Sequence, residues 1–437
     1  MTSTFSRLLD PSLEDAHDPF QGYDPRGEPL DDRLYLPCGI DPHADVCGVA
    51  FVHPLPQCAD VLEARVIDNH CWSDLTWLID TGRRLAAPFG AQPIYVFEAT
   101  GPFWRPYRHA LHQAGLATAT ICGRQAKHAR ATQTRKTKTD LIDAASAARV
   151  FKQGESHATR IPPEPMASLR EYTRLHLFFV EQGVALQNRM YTVRYQIHPD
   201  FDALFSQPIL ATTLALMRAE LVHPHKVLAC DREDLTDLVR RASRGKLGAP
   251  LAHALVRSAR TTFRFDYAAQ ALSFNLRLLA EAYVYLHDHL LPQLRQRIAD
   301  LLTQVPFEQH LDELPMFGPI VIGSFLSELG WPAWFHSVES VVAWFGLEPS
   351  LSESADKRTG RSHLTKRGSV YGRRTLWLAA RNWSLYTPEG RAWFRKERQQ
   401  HHLSYDGAVC AIAAKLVRIA FAMLRDGSHF DPKALSL

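Results

Sequence analysis

The sequence predicts an α/β layer domain with a mixed sheet in its first part and an all-helical remainder. Two observations predict this architecture. Short apolar runs come first and then alternate with helical patterns as far as Phe151. Beyond the segment Pro162-Pro163-Glu164-Pro165, which cannot continue a preceding helix, apolar residues recur at steps of three and four over long stretches.

The N-terminal elements follow from apolar periodicity and from turn residues. Residues 1–33 are rich in Asp, Glu, Pro and Gly and predict a disordered acidic tail. Two apolar runs between Tyr35 and Val52 flank Pro42-His43-Ala44-Asp45, which indicates a hairpin. Further strands are predicted at Val61–Ile67, Ile94–Phe97 and Ala117–Cys122, and helices at Trp72–Ala87, Phe103–Gln113 and Asp140–Phe151.

Two long helical patterns with apolar stripes follow the proline segment. The first stripe runs from Leu169 to Ile197, with His176 and Gly183 at two of its positions, and the second runs from Leu272 to Leu301. Such stripes could form an antiparallel arm or the seam of a dimer. Ordinary amphipathic helices packed within one subunit explain each stripe equally well.

Composition bounds the class of protein. Apolar residues make up 46% and charged residues 22% of 437 residues, which indicates a globular protein of two or three domains. Seven widely spaced cysteines without a Cys-x-x-Cys pair favour a reducing compartment over a disulfide framework or a zinc site. Since we find no signal peptide and no apolar run that would span a bilayer, we expect a cytoplasmic protein without membrane association.

Four carboxylates in separate settings indicate the chemistry. Asp41 and Glu98 each end an apolar strand, while Asp140 and Asp143 form an i, i+3 pair where a helix begins. Four acids that converge on one point require a compensating cation, and Mg²⁺ is the natural partner of carboxylates. Two such ions roughly 3.5–4 Å apart would stabilise the attacking and leaving oxygens of an in-line phosphoryl displacement.

Two basic segments indicate the substrate. Phosphate contact explains their one-sided charge better than a solvated surface does, so nucleic acid is the expected partner. For Lys366 and Arg373 individually, a helix-surface role is an equal alternative. The residues predicted to bind nucleic acid are Arg124, Lys127, Arg135, Lys136 and Lys138 in the first segment and Lys366, Arg367, Arg373 and Arg374 in the second.

The order of these motifs resembles a known family. The chain is similar to the DEDD-type transposases of bacterial insertion sequences, the family numbered one hundred and ten, which use a bridge RNA and are related to site-specific DNA invertases. The motifs that carry the resemblance are Gly39-Ile40-Asp41, Glu98-Ala99-Thr100-Gly101, Lys138–Ala144, Pro315–Gly318, Gly346-Leu347-Glu348-Pro349, and Lys366-Arg367-Gly368 with Arg373.

The resemblance implies a domain plan and a set of site residues. It implies a ribonuclease H-like (RuvC-like) domain at 34–160, a helical coiled-coil region at 161–310 and a mostly helical C-terminal transposase domain at 311–437. It further implies that the catalytic residues are four Mg²⁺-binding carboxylates and one serine nucleophile, namely Asp41, Glu98, Asp140, Asp143 and Ser354.

The chain departs from the family pattern at several positions. Glu353 and Ala355 flank the proposed nucleophile, and Ser350 and Ser352 remain alternative nucleophiles. Gly372 stands where the family has Leu, and Ala44 stands where it often has Lys.

These expectations combine into one functional hypothesis with named alternatives. We expect a transposase or DNA recombinase that cleaves and rejoins element ends and target DNA through a phosphoserine. A homo-oligomer, either a dimer or a tetramer, would let Ser354 of one subunit meet the carboxylates of another. The resemblance alone implies a guide RNA. The alternatives are a site-specific DNA invertase without guide RNA, a Mg²⁺-dependent junction-resolving endonuclease that uses water, and a non-catalytic nucleic-acid-binding protein.

Overall fold

The structure, a computed structural model, falls into two compact units, one ending at Ile161 and one beginning at Pro162. It describes residues 34–98, 101–121, 123, 125–126, 139–154, 157–158, 162, 164–263, 266–305, 310–349, 364–366 and 368–431. The predicted tail at 1–33 lies outside the described residues. So do several predicted site residues, namely Arg124, Lys127, Arg135, Lys136, Lys138, Ser350, Ser352, Ser354 and Arg367.

A mixed sheet forms the centre of the N-terminal unit. Its strands are β1 (Tyr35–Pro42), β2 (Val46–Val52), β3 (Val61–Asp68), β4 (Gln92–Glu98), β5 (Ala117–Ile121) and the two-residue β6 (His157–Ala158). The strand order is β3-β2-β1-β4-β5-β6. Strands β1 to β3 pair antiparallel, β4 pairs parallel with β1, and β5 pairs parallel with β4. The predicted mixed α/β sheet is confirmed, and its order is consistent with the ribonuclease H-like domain that the resemblance implies.

Three described helices cover the two faces of this sheet, namely α1 (Trp72–Ala86), α2 (Trp104–Gln113) and α3 (Asp140–Lys152). Alternate residues of β1 and β4, such as Ile40 and Phe97, share one apolar core with α1 and α2. Ile94 and Val96 face the opposite way and pack with α3. The predicted hairpin, strands and helices are confirmed to within one or two residues at their ends.

Two glycines of the sheet allow the backbone of α3 to contact the backbone of the strands directly. A Cβ atom on Gly39 of β1 would overlap the carbonyl oxygen of Ala144. A Cβ atom on Gly48 of β2 would lie 2.5 Å from the carbonyl oxygen of Asp140. The side chain of Thr139 caps the helix by accepting a hydrogen bond from the Ile142 amide. The start of α3, with its acidic pair, is therefore held directly against β1 and β2.

The C-terminal unit is built from helices, which confirms the mostly helical character predicted after the sheet. One apolar core surrounds the second half of α4, and another joins the start of α4 to the last helices. The helices are α4 (Glu164–Ile197), α5 (Ala211–Arg218), α6 (Pro224–Ala229), α7 (Arg232–Ala242), α8 (Ala249–Thr261), α9 (Ala269–Tyr285), α10 (Leu291–Leu302), α11 (Pro319–Leu329), α12 (Val338–Trp344), α13 (Val370–Tyr386), α14 (Pro388–Gln399) and α15 (Tyr405–Asp426).

The two predicted stripes pack against each other within one chain. Gly183 of α4 lies against Leu286, in the π-helical turn that joins α9 to α10. One turn further along α4, Gln187 Nε2 donates a hydrogen bond of 2.7 Å to Tyr283 Oη. From Gly183 to Gln187 the residue number increases along α4, while the number of the contacted residue decreases from Leu286 to Tyr283. The two helices therefore run antiparallel. The stripes are thus used inside one subunit, and they do not establish a coiled-coil seam between subunits.

Helix α15 corrects one expectation. Among the described helices it alone is long and apolar enough to cross a membrane by length and composition. Most of its apolar stretch is buried, with Ile412, Val417 and Phe421 fully enclosed in the C-terminal core. An apolar run of membrane-spanning length is therefore present, contrary to the prediction, and its burial among neighbouring helices accounts for its composition.

His176 makes the stability of the C-terminal unit depend on pH. Burial, together with the positive charge of Arg295, lowers the pKa of His176 from 6.5 to about 4. Between these values the unfolded chain binds the proton and the folded chain does not. We therefore expect stability to fall as pH drops from about 6.5 toward 4, by up to about 3 kcal/mol.

His176→Leu should remove the share of this pH dependence that His176 contributes, because the replacement fits the apolar stripe and cannot be protonated. Burial also lowers the pKa values of His198, His223 and His287, and these residues should keep their share. Urea unfolding midpoints at about pH 7 and about pH 5 would measure the effect. The exposed His289→Leu is the matched control and should retain the wild-type dependence. Equal loss of stability with acid in wild type and His176→Leu would contradict this assignment.

Candidate catalytic site

The carboxylates of the N-terminal unit meet at one edge of the sheet. Asp41 lies near the end of β1 and Glu98 ends β4. These strands are parallel and the residues preceding both acids, Ile40 and Phe97, are paired, so the two acids emerge side by side. Asp143 reaches the same point from α3, and the three acids line a cavity of about 10 Å³. This is space for roughly one water molecule or ion.

His43 connects this group to the fourth acid. Its Nε2 lies 3.4 Å from Asp41 Oδ2 and 3.3 Å from Asp140 Oδ1. Ligand atoms of Asp41, His43 and Asp140 all lie within 4.8 Å of one another. Asp41 therefore belongs to both groups, and the structure brings all four predicted acids together around it.

The electrostatics at this edge favour a cation. Burial raises the pKa of Asp41, and the nearby carboxylates of Asp143 and Asp140 raise it further, against the lowering effect of His43. A divalent ion would offset this repulsion and favour the charged form of Asp41. Carboxylate oxygens are the ligands that Mg²⁺ prefers, so the residues present fit such an ion. The geometry defines an acidic and histidine site without identifying the metal.

The turn that carries His43 is fixed by hydrogen bonds from Asn69, in the turn between β3 and α1, which is itself held by Tyr107 of α2. Asn69 Nδ2 donates to the carbonyl oxygens of His43 and Ala44 at 2.7 and 3.2 Å. Tyr107 Oη in turn donates to Asn69 Oδ1 at 2.6 Å. Sequence reasoning did not identify His43. The available signal was its place two residues after Asp41 in a tight turn, which returns its side chain to the end of β1.

The segment containing Ser354 is joined at its base in the C-terminal unit. Pro349 forms a β-bridge with Leu364, and the Thr365 amide donates to the Glu348 carbonyl at 3.0 Å. The two flanks of the segment are therefore close together. Ser354 itself lies between them, outside the described residues.

Two of the three predicted basic residues described near this segment have partners within the protein. Arg373 Nη1 donates to the Phe345 carbonyl oxygen at 3.2 Å. Arg374 Nε lies 3.1 Å from Glu181 Oε1, and Lys366 is exposed. Arg373 thus holds the chain shortly before the serine segment. Phosphate contact by these three residues stays a prediction.

Gly372 has a packing reason to differ from the family pattern. A Cβ atom there would lie 2.5 Å from Cε1 of the Phe345 ring and 3.2 Å from Glu328 Cβ. Glu328 is buried and forms a two-point ion pair with Arg174, at 2.7 and 3.0 Å. A leucine at position 372 would collide with this cluster, so the glycine follows from the close approach of α13.

A second group of metal-type ligands lies in the C-terminal unit. Ligand atoms of His310, Glu313 and His429 lie within 4.8 Å of one another. His429 Nδ1 is 2.7 Å from Glu313 Oε1, and both side chains are largely exposed. The contact links the residues after α15 to the 3₁₀ turn at Leu311–Glu313. His429 and Glu313 form an ion pair in this exposed group only when the imidazole is protonated, and exposed pairs contribute little to stability.

The mixed sheet followed by helices is consistent with a DEDD-type transposase, and comparison with known families shows that class. Residues 39–199, which contain all four acids, match a family model described as a transposase of the DEDD type in the IS110 group. Residues 308–395, which contain Ser354, match the model described as transposase of the IS116/IS110/IS902 family. Together the matches cover more than half of the chain. The chain therefore belongs to the IS116/IS110/IS902 family of transposases. Comparison with curated proteins gives no significant match.

Proposed function

We propose that this transposase cleaves and rejoins DNA with a Mg²⁺-dependent carboxylate site and a serine nucleophile. Convergence of Asp41, Glu98 and Asp143 on one cavity, with Asp140 linked through His43, is the observation that carries the proposal. Carboxylates that serve only to keep a protein soluble are normally well hydrated and apart from one another. Partly buried carboxylates that lie together instead indicate a functional site.

The proposed chemistry conserves the energy of the DNA backbone. Ser354 Oγ attacks a DNA phosphorus and forms a phosphoserine ester, while the bond to one deoxyribose oxygen breaks and that oxygen takes a proton. A carboxylate of the site accepts the serine proton. Bound Mg²⁺ would supply stabilisation of the charge on the reacting phosphate. Rejoining reverses these steps with a new DNA hydroxyl, so no external energy source is required.

Assembly and guide RNA are further parts of the proposal. Ser354 and the carboxylates lie in different units of the chain, which supports a homo-oligomer with shared sites, either a dimer or a tetramer. Helical pairing of the coiled-coil type between subunits would be one means of assembly. Two basic segments supply enough charge for DNA and a structured RNA together. We place the reaction in the cytoplasm, where the chromosome of a bacterial host lies.

A junction-resolving endonuclease is the second candidate. Glu353 favours it, because a negative charge beside the serine hinders approach to a phosphate. In that reaction a water molecule attacks in place of Ser354, and both DNA ends are released free. An invertase that acts without guide RNA would share the serine chemistry and differ in how DNA is chosen.

Removal of the divalent ion tests the proposed site. Full-length protein, with RNA and DNA taken from the sequence flanking its gene, should cleave DNA in Mg²⁺ and stop when a chelator is added. DNA binding should largely persist in chelator, because the basic segments contact phosphates without the metal. Restored Mg²⁺ should restore cleavage. Undiminished cleavage in excess chelator would contradict the proposal.

A further inference from the structure

A larger cavity lies beside the turn that carries His43. Strands β3 and β1 are both antiparallel to β2, so β3 ends at the same sheet edge as Asp41. The cavity lies where β3 ends and α1 begins, and it has a volume of about 280 Å³. Asn69, which holds the His43 turn, forms part of its wall. The cavity and the carboxylate site are therefore neighbours joined by one side chain.

Aromatic and apolar groups dominate the surface that the cavity offers. The walls include Trp72 and Leu75 at the start of α1 and Tyr107 from α2. The Trp72 side chain is 77% exposed, whereas Tyr107 is 8% exposed. An indole exposed to this extent at the mouth of a cavity leaves a large apolar ring face in water, and a flat ligand would cover it.

Asp68 and Asn69 of the wall have partners inside the protein, and the exposed His70 imidazole lies 3.7 Å from Asp45. The Asp68 carboxylate accepts a hydrogen bond from the His70 amide at 2.8 Å. The amide group of Asn69 binds the His43 turn, and its oxygen accepts from Tyr107. Few polar groups remain to form hydrogen bonds with the edge of a particular base. The cavity is therefore better suited to a ring that is held by stacking.

Helix α2 carries positive charge on residues adjacent in sequence to the cavity wall, whose own carboxylate is Asp68. Helix α2, which supplies Tyr107, also carries the exposed Arg105 and the Arg108 guanidinium, 5.7 Å from the centre of the Trp104 ring. Both arginines lie outside the cavity wall, one residue before Pro106 and one residue after Tyr107, which do line it. Their positive charge suits the phosphates that flank a base held in the cavity. The volume lies near the lower end of the roughly 300–1,000 Å³ typical of small-molecule sites, which is space for one ring system.

We propose that this cavity holds one unpaired nucleobase of the DNA strand being cut, stacked on Trp72. The site would position the strand so that a phosphate next to that base reaches the carboxylates. This inference rests on the proposed function, since it names how that site holds its substrate. It predicts stacking without base-edge recognition, and therefore little preference for base identity.

Binding measured without cleavage tests the proposal. Full-length protein in chelator would be titrated with a short oligothymidylate and with an abasic sugar-phosphate strand of equal length. Trp72→Ala should weaken oligothymidylate binding roughly five- to a hundredfold and leave abasic-strand binding unchanged. Trp72→Phe should retain most of the affinity, because a ring face remains. Since Trp72 is exposed, circular dichroism and unfolding midpoints should match wild type.

Cys71 gives a second readout in the wall of the same cavity. Its hydrogen bond with Ser73 lowers the pKa of the Cys71 thiol, which favours alkylation. Oligothymidylate should slow alkylation of Cys71 and leave that of Cys230, in the other unit, unchanged; peptide mass spectrometry separates the two.

Three outcomes would overturn the inference. These are equal weakening of both probes by Trp72→Ala, unchanged binding of both, and no protection of Cys71 by oligothymidylate. Because no step measures cleavage, the result stands apart from the chelator experiment. If the protein cleaves DNA in Mg²⁺ but shows one of these three outcomes, the proposed function stands and the proposed base site is wrong.

Discussion

Asp41→Asn and Asp143→Asn should each reduce DNA strand cleavage by roughly a thousandfold or more while the N-terminal unit stays folded. Each change removes a proposed metal ligand from the shared cavity and preserves the size of the side chain. Cleavage rates at saturating Mg²⁺ and DNA would measure the effect. Asp41→Asn should also slightly stabilise the metal-free protein, because burial and neighbouring acids disfavour its carboxylate charge.

Asp45→Asn is the matched control for these variants. Asp45 lies in the same turn as His43, yet its side chain is 88% exposed and its described ion pair is a 3.7 Å contact with His70. The change removes the same unit of charge from the same turn without removing a proposed ligand. We expect nearly full activity. Full Mg²⁺-dependent cleavage by either Asp41→Asn or Asp143→Asn would exclude the quartet from the mechanism.

Cleavage should leave one DNA end covalently attached to Ser354. The adduct should survive denaturant, since transesterification joins the DNA phosphate covalently to the serine oxygen. It should disappear in Ser354→Ala, which lacks that oxygen. A denaturing gel with labelled DNA, followed by mass spectrometry of the modified peptide, would detect it. Loss of cleavage in Ser354→Ala should be of the same order as in the carboxylate variants, because neither half of the site works alone.

Ser350→Ala and Ser352→Ala are the controls for this experiment, because both serines precede Ser354 in the same segment. Both should form the adduct normally. An adduct that maps to one of them would keep the mechanism and change the nucleophile. Free ends from Ser354→Ala, at the wild-type rate, would instead favour the endonuclease with a water nucleophile.

Much of the N-terminal fold could be predicted because it depends on local patterns. The apolar runs that became β1 and β4 end in Asp41 and Glu98, and parallel strands bring such ends to one edge. Thr139 and the acids after it mark a helix start that the structure places at Asp140. The positions of the acids along the chain were therefore readable, although their catalytic role remains a proposal.

The remaining features depend on contacts that sequence periodicity does not encode. His43 joins two acids only because the β1–β2 turn brings it back over the strand end. The bond from Arg373 to the Phe345 carbonyl depends on how closely α13 approaches the preceding loop. Helix α15 has the composition of a membrane span, and only the helices packed around it identify it as a core element.

The glycine contacts of α3 have a consequence for how the site tolerates change. Side-chain cores adjust to substitution through alternative rotamers, whereas the contacts at Gly39 and Gly48 join backbone to backbone and have no rotamers to exchange. Substitutions elsewhere in the domain should therefore have little effect on the distance between Asp41 and Asp143. Directed evolution could vary the outer core freely and still keep one carboxylate geometry, provided that these two glycines were held constant.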